Sequence, residues 1–298
     1  MEKNNINGIL LLDKPLMMSS NQAIQKIKRK FNIKKLGHTG TLDPLATGLL
    51  PVCLGKATRI SRFLIDSDKT YQAKIKLGSK TSTGDKEGEV IETSSAQVSN
   101  DSLVIKQLLQ SFIGKQEQMP PMYSALKIKG KRLYKLAIQG IDIPRRTRSI
   151  QIYSIELISQ NQTHLELIID CSKGTYIRTL AEDIAYKIGT VGHIDELRRL
   201  NINCFDKSQM YSFDEIINSK SIDNYLIPID APLKHLMKVN IDKSLSKMFM
   251  NGLPIAVDQN SMKDSNYIRI YDNETKFLGL GTYSSGCINP KIVFNDLN

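Results

Sequence analysis

The chain has 298 residues, of which 41% are hydrophobic, so it can form one large domain or two smaller ones. Its net charge of +11 and pI of about 9.3 favour a polyanionic partner, although nucleotide bias in the genome also produces Lys-rich proteins. The four cysteines form no Cys-x-x-Cys pair and the four histidines are scattered, which argues against a metal centre or a disulfide framework and favours a reducing compartment.

The N-terminal sequence MEKNNINGILLLDKP contains an apolar run of only four residues, Ile9–Leu12. This run is too short for the core of a signal peptide or for a membrane span. We therefore expect a cytoplasmic protein that does not associate with a membrane.

The predicted elements mix strands and helices without a regular βαβ rhythm, which favours an α+β fold over a doubly wound one. Ser19 and Gln22 have the spacing of a capping box, Asp101 is a candidate N-cap, and Gly114 is expected to stop the second helix. In chain order the elements are a strand at 7–15, a helix at 19–31, a loop at 37–48, a strand at 70–78, a glycine-rich turn at 82–90, a helix at 101–114, strands at 149–159 and 163–172, and a helix at 175–189.

The positive charge is concentrated in one segment. Residues 120–150 contain eight basic residues and one acidic residue, a net charge of +7, whereas 241–298 contain six of each kind. Such a distribution is expected of a binding surface for a polyanion. A composition shift at 227–236 predicts a boundary, with a first domain at 1–235 and a small β-rich domain at 236–298.

The stretch Gly37–Arg59, GHTGTLDPLATGLLPVCLGKATR, places a single carboxylate, Asp43, among glycines and small residues. It is not a P-loop, because Ala57 follows Gly-Lys and Leu50 occupies the position of the first glycine. No Gly-x-Ser-x-Gly occurs, and no second carboxylate lies close by in the sequence as a glycosidase would need. Two readings remain: an ordinary Asp-Pro turn, and a nucleophilic acid that a flat substrate can approach.

The same stretch resembles the signature of the TruB-type tRNA pseudouridine synthases. Further segments resemble other motifs of that family in the same order, and together they cover most of residues 7–235. These segments are NGILLLDKP with SSNQ, DSDKTYQAKIKLGSKTSTGDKEGEV, PPMYSALKIKGKRLYKLAIQGI, CSKGTYIRTLAEDI and VGHIDELRRL.

The resemblance implies the pseudouridine synthase fold, a mixed and mainly antiparallel sheet flanked by helices. The electroneutral tail resembles the family's small C-terminal PUA-like domain only weakly. The implied activity converts uridine to pseudouridine at position 55 in the TΨC loop of tRNA, after the base is flipped out of its stack. It needs no cofactor, metal or protein partner, so we expect a monomer whose partner is the T arm of tRNA.

The resemblance also assigns roles to individual residues. Asp43 matches the nucleophile, Tyr71 the tyrosine that stacks on the target base and takes up a late proton, and Arg178 the partner of the acid. We expect a bidentate guanidinium to lower the pKa of Asp43 and to fix its rotamer. Whether the acid attacks the sugar carbon or the base, or promotes elimination, stays open. The matched substrate-binding residues are His38, Tyr176, Leu197 and Lys14.

Without the resemblance, Tyr71 is an ordinary core tyrosine and Leu197 a core residue of a helix. The basic segment at about 120–150 resembles a flexible insertion that closes over the RNA arm and contacts its phosphates. Its candidate RNA-backbone residues are Lys127, Lys129, Lys131, Arg132, Arg145, Arg146 and Arg148.

Two other functions are compatible with the same sequence. One is a guide-RNA-dependent pseudouridine synthase, which would carry longer basic tails and additional C-terminal sequence. The other is a chaperone that folds tRNA without essential catalysis.

Overall fold

The computed structural model describes residues 6–96, 98–128, 130–202, 205–257 and 265–295. It confirms the α+β prediction: a mixed, mainly antiparallel sheet is flanked by helices, and a smaller sheet follows it in the chain. Short 3-10 helices occupy Gly55–Arg59, Lys207–Gln209, Asp223–Tyr225 and Ala231–Leu233. The α-helices are α1 (Ser20–Lys30), α2 (Ser61–Ile65), α3 (Ser102–Gln110), α4 (Leu133–Ala137), α5 (Ile177–Ile188), α6 (Phe213–Asn218) and α7 (Lys243–Met250).

The strands of the described chain vary from two to thirteen residues. They are β1 (Gly8–Lys14), β2 (Leu36–His38), β3 (Thr47–Leu54), β4 (Lys69–Leu77), β5 (Ser79–Thr81), β6 (Val90–Thr93), β7 (Gly114–Gln118), β8 (Lys127–Ile128), β9 (Lys131–Arg132), β10 (Arg148–Gln160), β11 (His164–Cys171), β12 (Gly192–Ile202), β13 (Tyr211–Ser212), β14 (Leu226–Ile227), β15 (Lys238–Asn240), β16 (Ile255–Ala256), β17 (Ser265–Tyr271), β18 (Phe277–Ser284) and β19 (Cys287–Val293).

The large sheet has the order β13-β1-β3-β12-β4-β11-β10-β7, with β2 paired to β3 and β14 paired to β1. The β1–β13 and β3–β12 pairs are parallel, and the other pairs in this sheet are antiparallel. Apolar residues of α1, α3 and α5 pack on one face together with the buried residues of β4. The alternation predicted for β4 is confirmed, because Tyr71, Ala73, Ile75 and Leu77 are all buried.

Strand β1 reads as a continuous apolar run because both of its faces are covered. Leu10 and Leu12 belong to the core beneath α1, whereas Ile9 and Leu11 belong to a second apolar cluster with residues of α2 and the C-terminal sheet. A strand covered on both sides has no solvent face to mark with polar residues.

The C-terminal sheet has the order β15-β17-β18-β19-β16 and curls into a PUA-like half-barrel. It packs on the large sheet through the shared apolar cluster, and Arg59 lies over the ring of Phe294, 5.6 Å from its centroid. Arg62 lies over Tyr267 in the same way, at 4.8 Å. We propose the chain divides at 235/236, because the first strand of this sheet begins at Lys238.

Two of the predicted helix starts are confirmed and one predicted end is wrong. Ser19 and Gln22 form a capping box on α1, and the Asp101 side chain accepts a hydrogen bond from the Leu103 amide at the start of α3. Helix α3 ends at Gln110, and Gly114 begins β7 instead of stopping the helix. Residues 111–113 connect α3 to β7 at the edge of the sheet, and the helical periodicity of the sequence does not reveal this connection.

Gly48 lets β3 approach β12 at the place where the two strands run parallel. Its φ is +99°, and a Cβ there would lie 2.2 Å from the carbonyl oxygen of Arg199. Any other residue would therefore force the two strands apart.

We predict that Gly48→Ala destabilises the fold by about 3 kcal/mol, because it adds a backbone clash to a left-handed conformation. Thermal or urea unfolding measures this. The matched control is Gly37→Ala in the same motif, where a Cβ meets no atom within 4 Å. Equal stability of the two variants would contradict the account of the β3–β12 contact.

Candidate active site

Two adjoining cavities lie at the loop between β2 and β3. The inner cavity has a volume of about 380 Å³, and five of the predicted residues line it: Asp43, Tyr71, Tyr176, Arg178 and Leu197. The structure thus brings together residues that are up to 154 positions apart in the chain. The sheet achieves this by placing β4 beside β12, with α5 beginning above them.

The outer cavity has a volume of about 800 Å³ and shares Asp43 and Arg178 with the inner one. The predicted residue His38 lines it, together with Lys127 and Arg132 of the basic segment. His38 Nδ1 is buried and has no hydrogen-bond partner among the described residues. Burial and the charges of Arg199 and Arg132 lower the pKa of His38, so the ring is neutral at pH 7.

Arg178 is 5% exposed and pairs with Asp43 through Nε, which lies 3.0 Å from Oδ2. Its Nη1 donates to the Thr83 carbonyl at 2.7 Å, and its Nη2 donates to the Tyr123 carbonyl at 2.6 Å. The predicted bidentate geometry is therefore wrong. Two of the three guanidinium nitrogens donate to backbone carbonyls, and these bonds fix the guanidinium more firmly than a carboxylate alone would.

The Arg178 guanidinium lowers the pKa of Asp43 as expected, but that expectation leaves out burial, which acts in the opposite direction and outweighs it. Burial in the cavity wall raises the pKa of Asp43, and the Arg178 guanidinium opposes that rise without cancelling it. Asp85 contributes to the rise as well, because its negative charge repels that of Asp43; its buried carboxylate lies 3.7 Å from Arg178 Nη1. The side chain of Asp43 keeps 37% of its surface accessible, directed into the cavities.

Sequence reasoning missed that further carboxylates reach the site. Asp85 and Glu87 lie in the turn between β5 and β6 and line the outer cavity beside Asp43. They are more than forty positions away in the sequence, and the turn is held at the site by the pairing of β5 with β6 and by backbone hydrogen bonds of Gly84 and Lys86 with Ile194 of β12. The sequence predicts the glycine-rich turn at 82–90, but it gives no sign that the acidic residues of this turn lie beside Asp43.

Buried side chains hold the backbone on either side of Asp43. Lys14 Nζ donates to the Pro44 carbonyl at 3.3 Å, and the Ser20 hydroxyl both donates to and accepts from the backbone of Leu42. Burial lowers the pKa of Lys14 to about 8. The structure thus places Lys14 under the loop, in a supporting position, and not on the cavity wall.

Arg199 is a second buried cation under the loop, and sequence reasoning missed it. It is 1% exposed, and it donates to the Leu49 carbonyl at 2.7 Å and to the Gly40 carbonyl at 3.1 Å. Burial raises the pKa of Tyr71, and the charge and hydrogen bond of Arg199 oppose that rise. The available signal is the Arg-Arg pair in DELRRL. Because successive residues of a strand point to opposite faces of the sheet, the two arginines cannot both lie on one face.

Tyr176 is positioned from three sides at the start of α5. The side chain of Gln118 accepts from its amide at 2.8 Å and donates to its carbonyl at 3.0 Å. The guanidinium of Arg148 lies 6.0 Å from its ring centroid. Burial raises the pKa of Tyr176.

Leu197 lies in β12 opposite Ala73, so the helical interpretation of DELRRL is wrong. Irregular register between Ile194 and Glu196 breaks the alternation of β12, which leaves apolar residues three apart as in a helix. Leu197 is 8% exposed and lines the inner cavity together with Tyr71.

The basic segment divides into two groups. Arg145 pairs with Asp142 and donates to the Pro120 carbonyl, and Arg148 lies against Tyr176, so both are held by protein groups. Lys129 lies outside the described residues. The side chains of the remaining predicted residues are exposed: Lys127, Lys131, Arg132 and Arg146.

Within the described part of the chain, no three His, Cys, Asp or Glu side chains come together as a metal site would require. The helices described there are too short or too polar to cross a membrane.

The fold is similar to that of two solved structures. A chain of an H/ACA ribonucleoprotein bound to a substrate RNA containing 2′-deoxyuridine superposes with a TM-score of 0.74 at 23% identity, covering 97% of this chain and 85% of that one. A chain of a Cbf5-Nop10-Gar1 complex gives 0.72 at 25% identity, covering 96% and 84%. These likenesses establish the fold.

The family models cover nearly the whole chain. Residues 28–177 match the model described as TruB family pseudouridylate synthase (N terminal domain). Residues 178–234 match tRNA pseudouridylate synthase B C-terminal domain, and 238–294 match Pseudouridine synthase II TruB, C-terminal. The chain that carries this fold and these cavities is therefore a pseudouridine synthase.

Relatives named tRNA pseudouridine synthase B identify the family more closely. The protein of Methylobacillus flagellatus is 42% identical over 97% of this chain and 95% of its own length. That of Escherichia coli is 42% identical over 93% and 91%. The chain belongs to the TruB family, and it is an enzyme that isomerises uridine in tRNA.

We predict that Arg178→Met raises the pKa of Asp43 further, because burial of the carboxylate then loses its main opposing charge and only the weaker effect of Lys14 is left. A ¹³C NMR titration of the Asp43 carboxyl measures the change, with a thermal melt to verify folding. The control is Arg62→Met, which removes an exposed arginine of α2 and leaves that titration unchanged. A lower or unaltered pKa of Asp43 in Arg178→Met would show that the ion pair does not govern its charge.

Proposed function

We propose that the protein converts uridine 55 in the TΨC loop of tRNA to pseudouridine, with Asp43 as the nucleophile. The observation that carries this proposal is the position of Asp43, ion-paired at the wall shared by the two cavities. The family and its relatives support tRNA as the substrate. The position in the loop and the roles of individual residues are our inference.

The reaction is balanced within the substrate. The bond between uracil N1 and ribose C1′ breaks, the base turns, and a bond forms between C5 and C1′. The proton on C5 leaves and N1 gains one, so no redox partner is consumed. The inner cavity, at about 380 Å³, is of a size that suits one nucleoside, and a bound base would displace water that would otherwise hydrolyse the intermediate.

Each lining residue then has a task. Tyr71 and Leu197 border the space for the base from below, and Tyr176 borders it from the start of α5. We assign removal of the C5 proton to Tyr71 because it lines the inner cavity with Asp43; burial raises the pKa of its phenol, and Arg199 opposes that rise. Arg178 keeps Asp43 charged and fixes its direction.

A uridine inside a folded loop must leave its stack, at a cost of a few kcal/mol. The outer cavity is large enough for the neighbouring nucleotides, and His38 is one of the residues that line it. Lys127 and Arg132 reach it from the basic segment and would meet phosphates there. We therefore propose the T arm as the bound element, with the protein acting as a monomer in the cytoplasm.

Two observations favour this function over the alternatives. Relatives that share about 42% identity over nearly the whole chain are named for tRNA, whereas the chains from H/ACA and Cbf5 complexes share only 23–25%. The C-terminal segment from 241 carries no excess of basic residues for a guide RNA. A chaperone would have no need for an ion-paired acid facing a nucleoside-sized cavity.

We predict that Asp43→Asn lowers the rate of pseudouridine formation by about three orders of magnitude or more, while its Kd for tRNA stays within about threefold of the parent value. Product formation is measured on an unmodified tRNA transcript, and binding by filter retention. The control, Asp214→Asn, removes an exposed carboxylate of α6 and should retain full activity. Substantial product from Asp43→Asn would remove Asp43 from its assigned role.

We predict that Lys131→Ala with Arg146→Ala reduces the slope of log K against log salt by about 2, because two exposed cations no longer release counterions from RNA phosphates. The matched pair Lys106→Ala with Lys276→Ala removes two exposed lysines that lie outside the basic segment. An unchanged slope in the first pair would mean that these side chains face solvent in the complex.

A further inference from the structure

The turn between β1 and α1 exposes two large apolar side chains. Leu16 is 52% exposed and Met17 is 67% exposed. Met17 also has a φ of +58°, the left-handed region that non-glycine residues seldom adopt. A strained, exposed apolar residue persists only where the surrounding structure imposes it, and such strain concentrates at functional sites.

Lys14 imposes this conformation. Its buried ammonium donates to the carbonyls of Pro15 and Met18 at the two ends of the turn, at 2.7 Å and 2.5 Å. Its third contact, with the Pro44 carbonyl, fastens the turn to the residue that follows Asp43. The Leu16–Met17 tip is thus held rigidly relative to the active-site acid.

The tip lies beside the cavities that receive the substrate. Leu16 lines a cleft of about 480 Å³ together with Leu45, Thr47 and Leu197, and Leu197 also lines the inner cavity. Residues 19–21, directly after the turn, line the outer cavity. The tip therefore stands on the rim between the cleft and the outer cavity.

The cleft that Leu16 lines has three acidic and three basic side chains and is balanced in charge, so a polyanion is indicated only by the segment that carries the tip. The segment from Lys14 to Leu42 contains no acidic residue. Its basic residues are exposed at the far end of α1 and in the chain that returns to β2. They are Lys26, Arg29, Lys30, Lys34 and Lys35, with Lys28 partly covered.

We propose that the Leu16–Met17 tip contacts the unstacked bases next to the flipped nucleotide of the substrate RNA. Apolar side chains such as Leu and Met serve as wedges wherever proteins separate stacked bases. Here the tip covers base faces that lose their neighbour when the target uridine leaves, and the basic side chains of α1 follow the phosphates. This contact rests on the proposed function, because it assumes an RNA whose base is flipped at Asp43.

The test uses Met17→Gly and the pair Leu16→Ser with Met17→Ser. Glycine is suited to a φ of +58°, so Met17→Gly keeps or raises the melting temperature while it removes the apolar side chain. We expect about a tenfold loss in kcat/KM on a tRNA transcript, somewhat larger in the pair. We also expect a smaller rise in 2-aminopurine fluorescence when this base is placed next to the target uridine.

The loss should be equal at low and high salt, since the contact is apolar, whereas a phosphate contact weakens with salt. The control is Leu103→Ser, which removes an equally exposed leucine of α3 that lines none of these cavities. Unchanged kcat/KM and fluorescence in both tip variants would overturn the proposal and leave the tip to a protein partner. An equal loss in Leu103→Ser would overturn it too.

A failure of the proposed function can be distinguished from a failure of this contact. If the parent protein forms no pseudouridine but the tip variants still lose the 2-aminopurine signal, the RNA contact stands while the assigned reaction falls.

Discussion

The ion pair of Asp43 with Arg178 is the interaction on which the site depends. The acid lies where burial alone would favour its neutral form, and the cation beside it restores part of the charged form. Arg178 can do this because two backbone carbonyls hold its other nitrogens, so its position does not depend on the acid. The same pair stands in the wall that the two cavities share.

The loop that carries Asp43 is held from below by two buried cations. Lys14 donates to the Pro44 carbonyl and Arg199 to the Gly40 carbonyl, so the loop gives Asp43 a rigid support. Gly48 allows the strand that follows to reach β12, which brings Arg199 under the loop. The contacts of Lys14, Arg199 and Gly48 therefore stabilise the fold and position the site at the same time.

Local patterns in the sequence predicted much of this. The capping box of α1, the alternation of β4 and the acid in a glycine-rich loop are local signals, and the structure bears out the first two. The β12 strand, the approach of Asp85 and the buried Arg199 depend on pairing between distant segments, which periodicity cannot reveal. The sign of the pKa shift at Asp43 depends on burial, a property of the folded chain alone.

The most direct measurement is to incubate the purified protein with an unmodified tRNA transcript, with no other RNA or protein added, and to map every pseudouridine formed. The account predicts one modified uridine, at position 55 in the T loop. Modification elsewhere, or only after a guide RNA is supplied, would contradict it.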